Sequence, residues 1–271
     1  MIAPTVDADR LWQTILDMAE IGATSDGGSC RLALSPEDAA ARALLLAWCE
    51  PIGLKFEQDA IGNMFLRREG TNADAGAVAF GSHLDTVPTG GRFDGVFGVL
   101  AGLEVIRALH EAGVQTEVAL ELVNWTNEEG SRFKPAMMGS RVFAGDMELG
   151  AALTTVDDNG VSVARALQDS GQAGPLAPVP RKWSCWLEAH IEQGPVLEKA
   201  QARQFSTRDM IAAAGHDSVL VAPLCPSAML FVPSVDGITH NPKEYSTKEH
   251  LARGAQVLLD AVAALAGLPD N

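Results

Sequence analysis

Seven residues of the types that hold metals or move protons recur at matching places in this chain. His83 and Asp85 follow a short apolar segment, Asp94 precedes the next helical pattern, and Glu128 with Glu129 follow a second apolar segment. His190 ends a third such segment, and His240 lies just beyond a fourth. In open α/β sheets ligands bind at the carboxyl ends of strands, so these loops are expected to converge on one site. Imidazole and carboxylate are the ligand set of zinc-like divalent metals. Two adjacent glutamates ionise together comfortably only beside cations, and a metal pair supplies that charge. Plainer readings stand beside this one. Asp94 alone would serve as the N-cap of the helix that follows it. His110 and His250 sit inside helical patterns and read as solvent-facing or packed. Gly90, Gly91 and Gly95 would suit a phosphate cradle, but no GxxxxGK[ST] or GxGxxG accompanies them.

The elements that must position these residues alternate between strand-like and helix-like patterns, which favours an α/β layered fold. Residues 7–20 and 36–49 read as helices, the second with Ser35 as N-cap and Pro36 at its first position. AVAFGS (77–82), EVALELVNW (117–125), WSCWLEAHIEQG (183–194) and SAMLFVPS (227–234) read as strands running into polar loops. Residues 95–112 form an apolar-striped helix stopped by Gly113. The last helix is expected to start on a capping box of Ser246 with Glu249, and to close at Gly267 and Pro269. Residues 170–181 read as a surface loop. The tryptophans at 12, 48, 125, 183 and 186 read as core or pocket wall.

Composition narrows the partners. With 20 basic against 35 acidic residues the formal net charge is −15. No basic stripe exists to meet nucleic-acid phosphates or an anionic membrane surface. No apolar run reaches the ~18–20 residues that span a bilayer, and the N-terminus lacks a secretory pattern. Cys30, Cys49, Cys185 and Cys225 are scattered without a CxxC pair, as expected for reduced thiols of a cytoplasmic protein.

Longer motifs carry a family resemblance. GSHLDTVPTGGRFDGVFGVLAG, NWTNEEGSRF, AMMGSRVFAG, HIEQGPVLE and AGHDS resemble the amidase branch of the M20 metallopeptidase-like family. That branch holds N-carbamoyl-L-amino acid hydrolases, β-ureidopropionases and allantoate amidohydrolases, and the TVPTGGRFDG wording is nearer to the carbamoyl-amino-acid enzymes. The resemblance implies a three-layer α/β/α domain over 1–271 with a mixed, mostly parallel central sheet. It implies two divalent ions, Zn2+ or Mn2+, with Co2+ or Ni2+ as alternatives. His83 and His190 match ligands of the first ion, Asp94 the carboxylate bridging both, and Glu129 and His240 ligands of the second. Glu128 matches the general base, and Asp85 the carboxylate that orients His83. Gln193 falls in the segment that meets substrate. His216, with Asp217 in GHDS, reads equally as a substrate contact or a structural residue of the site floor.

The sequence also departs from that family. Its members carry a smaller α/β lid, also their dimer surface, after the HIEQGPVLE segment. Here only about 199–206 stands at that point, too short to fold as a domain. The expectation is a lid-less catalytic domain, monomeric and weak in turnover, cleaving a linear amide C–N bond. The expected substrate is an N-carbamoyl-L-amino acid, giving the amino acid, ammonia and carbon dioxide. A lid-less aminopeptidase or deacylase, or a metal-binding scaffold without turnover, are the alternatives.

Overall fold

The computed structural model describes residues 4–192 and 215–267. Gln193 and the junction at about 199–206 lie outside the described residues. A six-stranded sheet runs in the order β1-β2-β4-β3-β5-β6. β3 (Ala77–His83), β4 (Leu120–Trp125), β5 (Trp183–Ile191) and β6 (Ser227–Val232) are parallel to one another. β1 (Lys55–Gln58) and β2 (Met64–Arg68) add an antiparallel edge. The sheet is mixed and mostly parallel, as the sequence leads one to expect. β3 and β4 are buried along their whole length, which is why they read as unbroken apolar runs.

Helices cover both faces. On one side α1 (Ala8–Ala19), α3 (Val96–Glu111) and α8 (Lys248–Leu265) pack with Met64, Leu66, Phe80 and Leu122. α2 (Pro36–Cys49) joins that cluster through Ala41 and Leu45. The opposite face gathers Phe65, Val123, Trp125 and Trp186 against α4 (Met138–Ala144) and α7 (Asp217–Val221). Met64 and Leu66 point one way and Phe65 the other, the period of two that a two-sided sheet imposes. α5 (Leu149–Thr154) and α6 (Val163–Ser170) form a satellite with Phe133 and Ile61. Among the described residues no helix is long and apolar enough to cross a membrane.

Some local expectations need correction. Ser246 does not cap α8: Thr247 does, accepting from the His250 backbone N–H at 3.2 Å. The Ser246 hydroxyl instead donates to the Pro233 carbonyl at 2.8 Å and closes the loop that carries His240. Glu249 pairs with Arg253 rather than reaching back to the cap. Asp94 is not the N-cap of α3 either. Gly95 takes that position without a side-chain bond, because the Asp94 carboxylate is turned toward imidazoles. Ser35 does cap α2, with the Asp38 N–H donating to its hydroxyl at 3.2 Å.

Candidate metal centre

The carboxyl ends of β3 and β5 and the loops that follow β3, β4 and β6 bring His83, Asp94, Glu128, Glu129, His190 and His240 together. Two groups of three form, His83–Asp94–His190 and Asp94–Glu129–His240, each with ligand atoms within 4.8 Å of one another. Asp94 belongs to both. Its Oδ1 lies 3.1 Å from His190 Nε2 and its Oδ2 lies 3.0 Å from His240 Nε2. Glu129 Oε2 approaches the same His240 nitrogen at 3.4 Å.

The backbone fixes which imidazole nitrogen faces inward. His83 Nδ1–H donates to the Asp85 carbonyl at 2.9 Å, and His190 Nδ1–H donates to the Ile191 carbonyl at 2.9 Å. Nε2 is therefore the ring atom that each presents to the centre. Space for the His83 ring depends on Gly95, whose φ of 67° is left-handed. A side chain there would overlap the ring.

Asp85 was expected to orient His83 through its carboxylate. That contact runs through its backbone carbonyl, while the carboxylate stands 4.0 Å from Nδ1. The Asp85 carboxylate instead accepts the backbone N–H groups of Glu128 and Glu129, each at 3.2 Å. It is a cradle for the adjacent glutamates. The preceding residues are tied equally well, since Asn63 Oδ1 accepts from the Thr126 N–H at 3.1 Å and buried Arg42 reaches Thr126 Oγ1 at 3.2 Å.

The electrostatics describe a site short of cations. Among the described residues, every ion pair of Asp94, Glu128 and Glu129 is with an imidazole. Burial, then the charges of Asp217, Glu129 and Asp85, hold the Glu128 carboxyl well above the usual range. Burial and the neighbouring Asp94 push Glu129 up to about 8. Burial opposes a charge on His190, but its hydrogen bond to Asp94 prevails and lifts it to about 9. The bond to Asp94, against partial burial and with Glu129 adding, lifts His240 to about 9. Burial likewise opposes the Asp94 anion, yet its bonds to His190 and His240 hold it well below the usual range. The donor set, imidazole nitrogens and carboxylate oxygens around a shared aspartate, fits divalent ions of the zinc and manganese kind.

Next to this cluster lies a second polar layer. His216 is buried, its ring edge-on to His190 at 4.5 Å and to Phe231 at 5.6 Å. Asp217 is fully buried, with Ser140 as its partner. Glu188 accepts from the Ser82 hydroxyl at 2.8 Å and from the Ser218 hydroxyl at 2.6 Å. The Trp186 indole donates to that same Ser218 oxygen at 2.8 Å. Sequence reasoning missed Glu188, Ser140, Thr239 and Glu244. A signal existed for Glu244, an acid four residues past His240. His110 is exposed, His250 lies in the first turn of α8, and neither belongs to the two groups.

An α/β sheet with imidazoles and carboxylates gathered at the ends of its parallel strands defines the metallohydrolase class. The sequence matches the family described as Peptidase family M20/M25/M40 over residues 79–204. It is 48% identical over 193 residues to N-carbamoyl-L-amino-acid amidohydrolase of Rhizobium meliloti, a match over 71% of this chain and 46% of that protein. The chain thus spans about half the length of that relative. N-carbamoyl-L-amino acid amidohydrolase of Geobacillus stearothermophilus is 29% identical over 406 residues, covering 96% of this chain and 99% of that protein. Among solved structures, a hydantoinase/carbamoylase family amidase from Burkholderia multivorans superposes with a TM-score of 0.95 at 31% identity. That superposition covers 99% of this chain and 100% of the other. The chain belongs to the hydantoinase/carbamoylase amidases of the M20 family.

Proposed function

We propose that this chain hydrolyses a linear amide C–N bond at a centre of two divalent ions, and that its substrate is an N-carbamoyl-L-amino acid. The observation that carries the reading is the Asp94 carboxylate, whose two oxygens face two different imidazoles in two three-residue groups. His83 and His190 would hold one ion, Glu129 and His240 the other, with Asp94 shared. When bound, such a pair activates water at neutral pH and polarises a carbonyl oxygen.

The chain's own residues supply the rest. Glu128 stands beside the centre, its Oε2 3.3 Å from His83 Nε2. Its high proton affinity suits a group that takes a proton from the attacking water and returns it to the departing nitrogen. Asp85 holds both glutamate backbones, so the base and the Glu129 ligand keep a fixed relation. His216, seated against His190, and Gln193, outside the described residues, are assigned to the substrate side. The names of the Rhizobium and Geobacillus relatives support the carbamoyl-amino-acid assignment.

We further infer that the chain lacks an inserted lid at about 199–206. The alignment to the Geobacillus relative runs over 406 residues although this chain has 271, so that protein carries a long stretch without a counterpart here. A centre without its cover leaves substrate orientation to chance, and orientation is worth several orders of magnitude in rate. Low turnover and a monomeric state follow from this assignment. The experiment is metal analysis of the purified chain, with assays on N-carbamoyl-methionine and on a peptide at matched metal loading. Ammonia release from the carbamoyl substrate supports the proposal. Peptide cleavage alone would replace it with an aminopeptidase, and bound metal without turnover would leave a scaffold.

A further inference from the structure

Glu244 lies outside the ligand set, yet it touches the backbone of the one residue that both triads share. The residue is 3% exposed, and it sits on the loop that also carries His240. Its Oε1 accepts two backbone N–H groups, from Phe93 at 2.9 Å and from Asp94 at 3.1 Å. Its Oε2 lies 3.2 Å from the Thr239 hydroxyl, which donates to Asp94 Oδ2 at 2.8 Å. A hydroxyl carries one proton, so the shorter contact takes it. The loop's own end is pinned by the Glu244 N–H donating to the Asn241 carbonyl at 2.9 Å. Room for the Glu244 carboxyl is made at Gly91, where any side chain would overlap it.

These bonds join two segments more than a hundred residues apart. One carries Asp94, and the other carries His240, which is held at a left-handed φ of 53°. A left-handed conformation at a non-glycine residue is costly and persists only where its surroundings impose it. Thr239 also fixes the plane of the Asp94 carboxylate, so that Oδ1 faces His190 while Oδ2 faces His240. We propose that Glu244 and Thr239 are positioning residues that lock the Asp94 carboxylate to the His240 loop, and thereby set the affinity of the ion held by Asp94, Glu129 and His240. The inference deepens the two-ion reading above and rests on it. Groups that orient ligands without touching the ion alter metal affinity by about 10–100-fold when removed.

The test titrates metal-free parental, Glu244→Ala, Glu244→Gln and Thr239→Val chains with Mn2+ against a competing chelator. It also follows hydrogen exchange of the Phe93 and Asp94 amides without metal. Thr239→Val is expected to weaken the ion of the Asp94–Glu129–His240 group by about 10–100-fold, to weaken the other ion clearly less, and to leave both amides protected. Glu244→Ala should weaken that same ion and also expose the two amides. Glu244→Gln, whose carbonyl still accepts from both, should restore protection and most of the affinity. Equal weakening of both ions, or unchanged affinity in Thr239→Val and Glu244→Ala, would overturn the proposal. A parental chain that binds fewer than two ions would instead refute the two-ion reading. In that event protected Phe93 and Asp94 amides that open only in Glu244→Ala would still uphold the lock, and unchanged exchange would refute it.

Discussion

The two halves of the candidate centre are built differently although they share a residue. His83, Asp94 and His190 are all buried, and the inward nitrogens of the two histidines are set by the backbone carbonyls of Asp85 and Ile191. In the other half the Glu129 side chain is buried, but that of His240 is 46% exposed and rides a loop with left-handed residues at Asp236 and His240. The difference shows how one sheet can supply both a rigid seat and an adjustable one. Parallel strands end in register and fix the inner group, whereas the outer group depends on a loop that must be tied down separately. An inner ion is expected to bind tightly and leave slowly, and an outer ion to exchange.

The comparison breaks most completely at its shared residue. Asp94→Ala should lower bound metal at both positions and abolish turnover, as elemental analysis beside the ammonia-release assay will register. Retention of two equivalents per chain would remove Asp94 from the bridging role.

Next in size is a change that should leave both halves intact. Glu128→Gln is expected to keep two ions while turnover falls by about 10²–10⁴-fold, the usual worth of a general base. The acidic limb of the pH–rate profile should vanish with it. Near-parental kcat at saturating metal would mean that another group handles the proton.

His190→Ala and His240→Ala compare the halves directly. His190 is buried and paired with Asp94, so its loss should cost about 3–5 kcal/mol of metal-free stability. His240 is half exposed, and its removal should cost about 1 kcal/mol or less. Thermal melts of the two variants check this, and equal losses would erase the distinction drawn between the seats.

The smallest expected effect is a pH dependence of metal-free stability. His190 and His240 are raised to about 9 in the folded chain, above the ordinary 6.5. Their contribution is complete below about pH 6.5 and is lost as pH rises through about 9. Glu129 is raised to about 8, so the folded state also holds this proton more tightly and its contribution fades as pH rises through 8. All three act in one direction, and the metal-free melting temperature should fall between pH 6.5 and 9. Divalent metal displaces these protons, so its stabilisation should grow over the same interval. A metal-free melting temperature that rises with pH there would contradict the assignment of these groups.

Much of this was legible in the sequence, and the physical reasons differ by element. β3 and β4 announce themselves because burial on both faces demands continuous apolar runs, as in AVAFGSH and LELVNW, whereas β6 is largely half-exposed and is marked by its apolar SAMLFV run alone. β1 does not, since KFEQ lies at the sheet edge and exposes its first residues. The short helices α4 to α6 escaped because one or two turns carry too little periodicity to read. At Ser246 the local pattern of a capping box was present, but a long-range bond to Pro233 claimed the hydroxyl. The metal-centre candidates were readable because their residue types recur after strands. The groups that support them, Asn63, Thr239 and Glu244, act through backbone N–H groups and a carboxylate oxygen; apart from the acid spacing of Glu244 from His240, no spacing rule reveals such contacts.

The central claim is that two ions of unequal tightness share Asp94, and the direct measurement is a titration of the metal-free parental chain with Mn2+ under chelator competition. Two equivalents per chain in two separated steps are expected, the weaker step disappearing in His240→Ala and the stronger remaining. A single equivalent, or two that bind equally and are lost together in His240→Ala, would contradict the account.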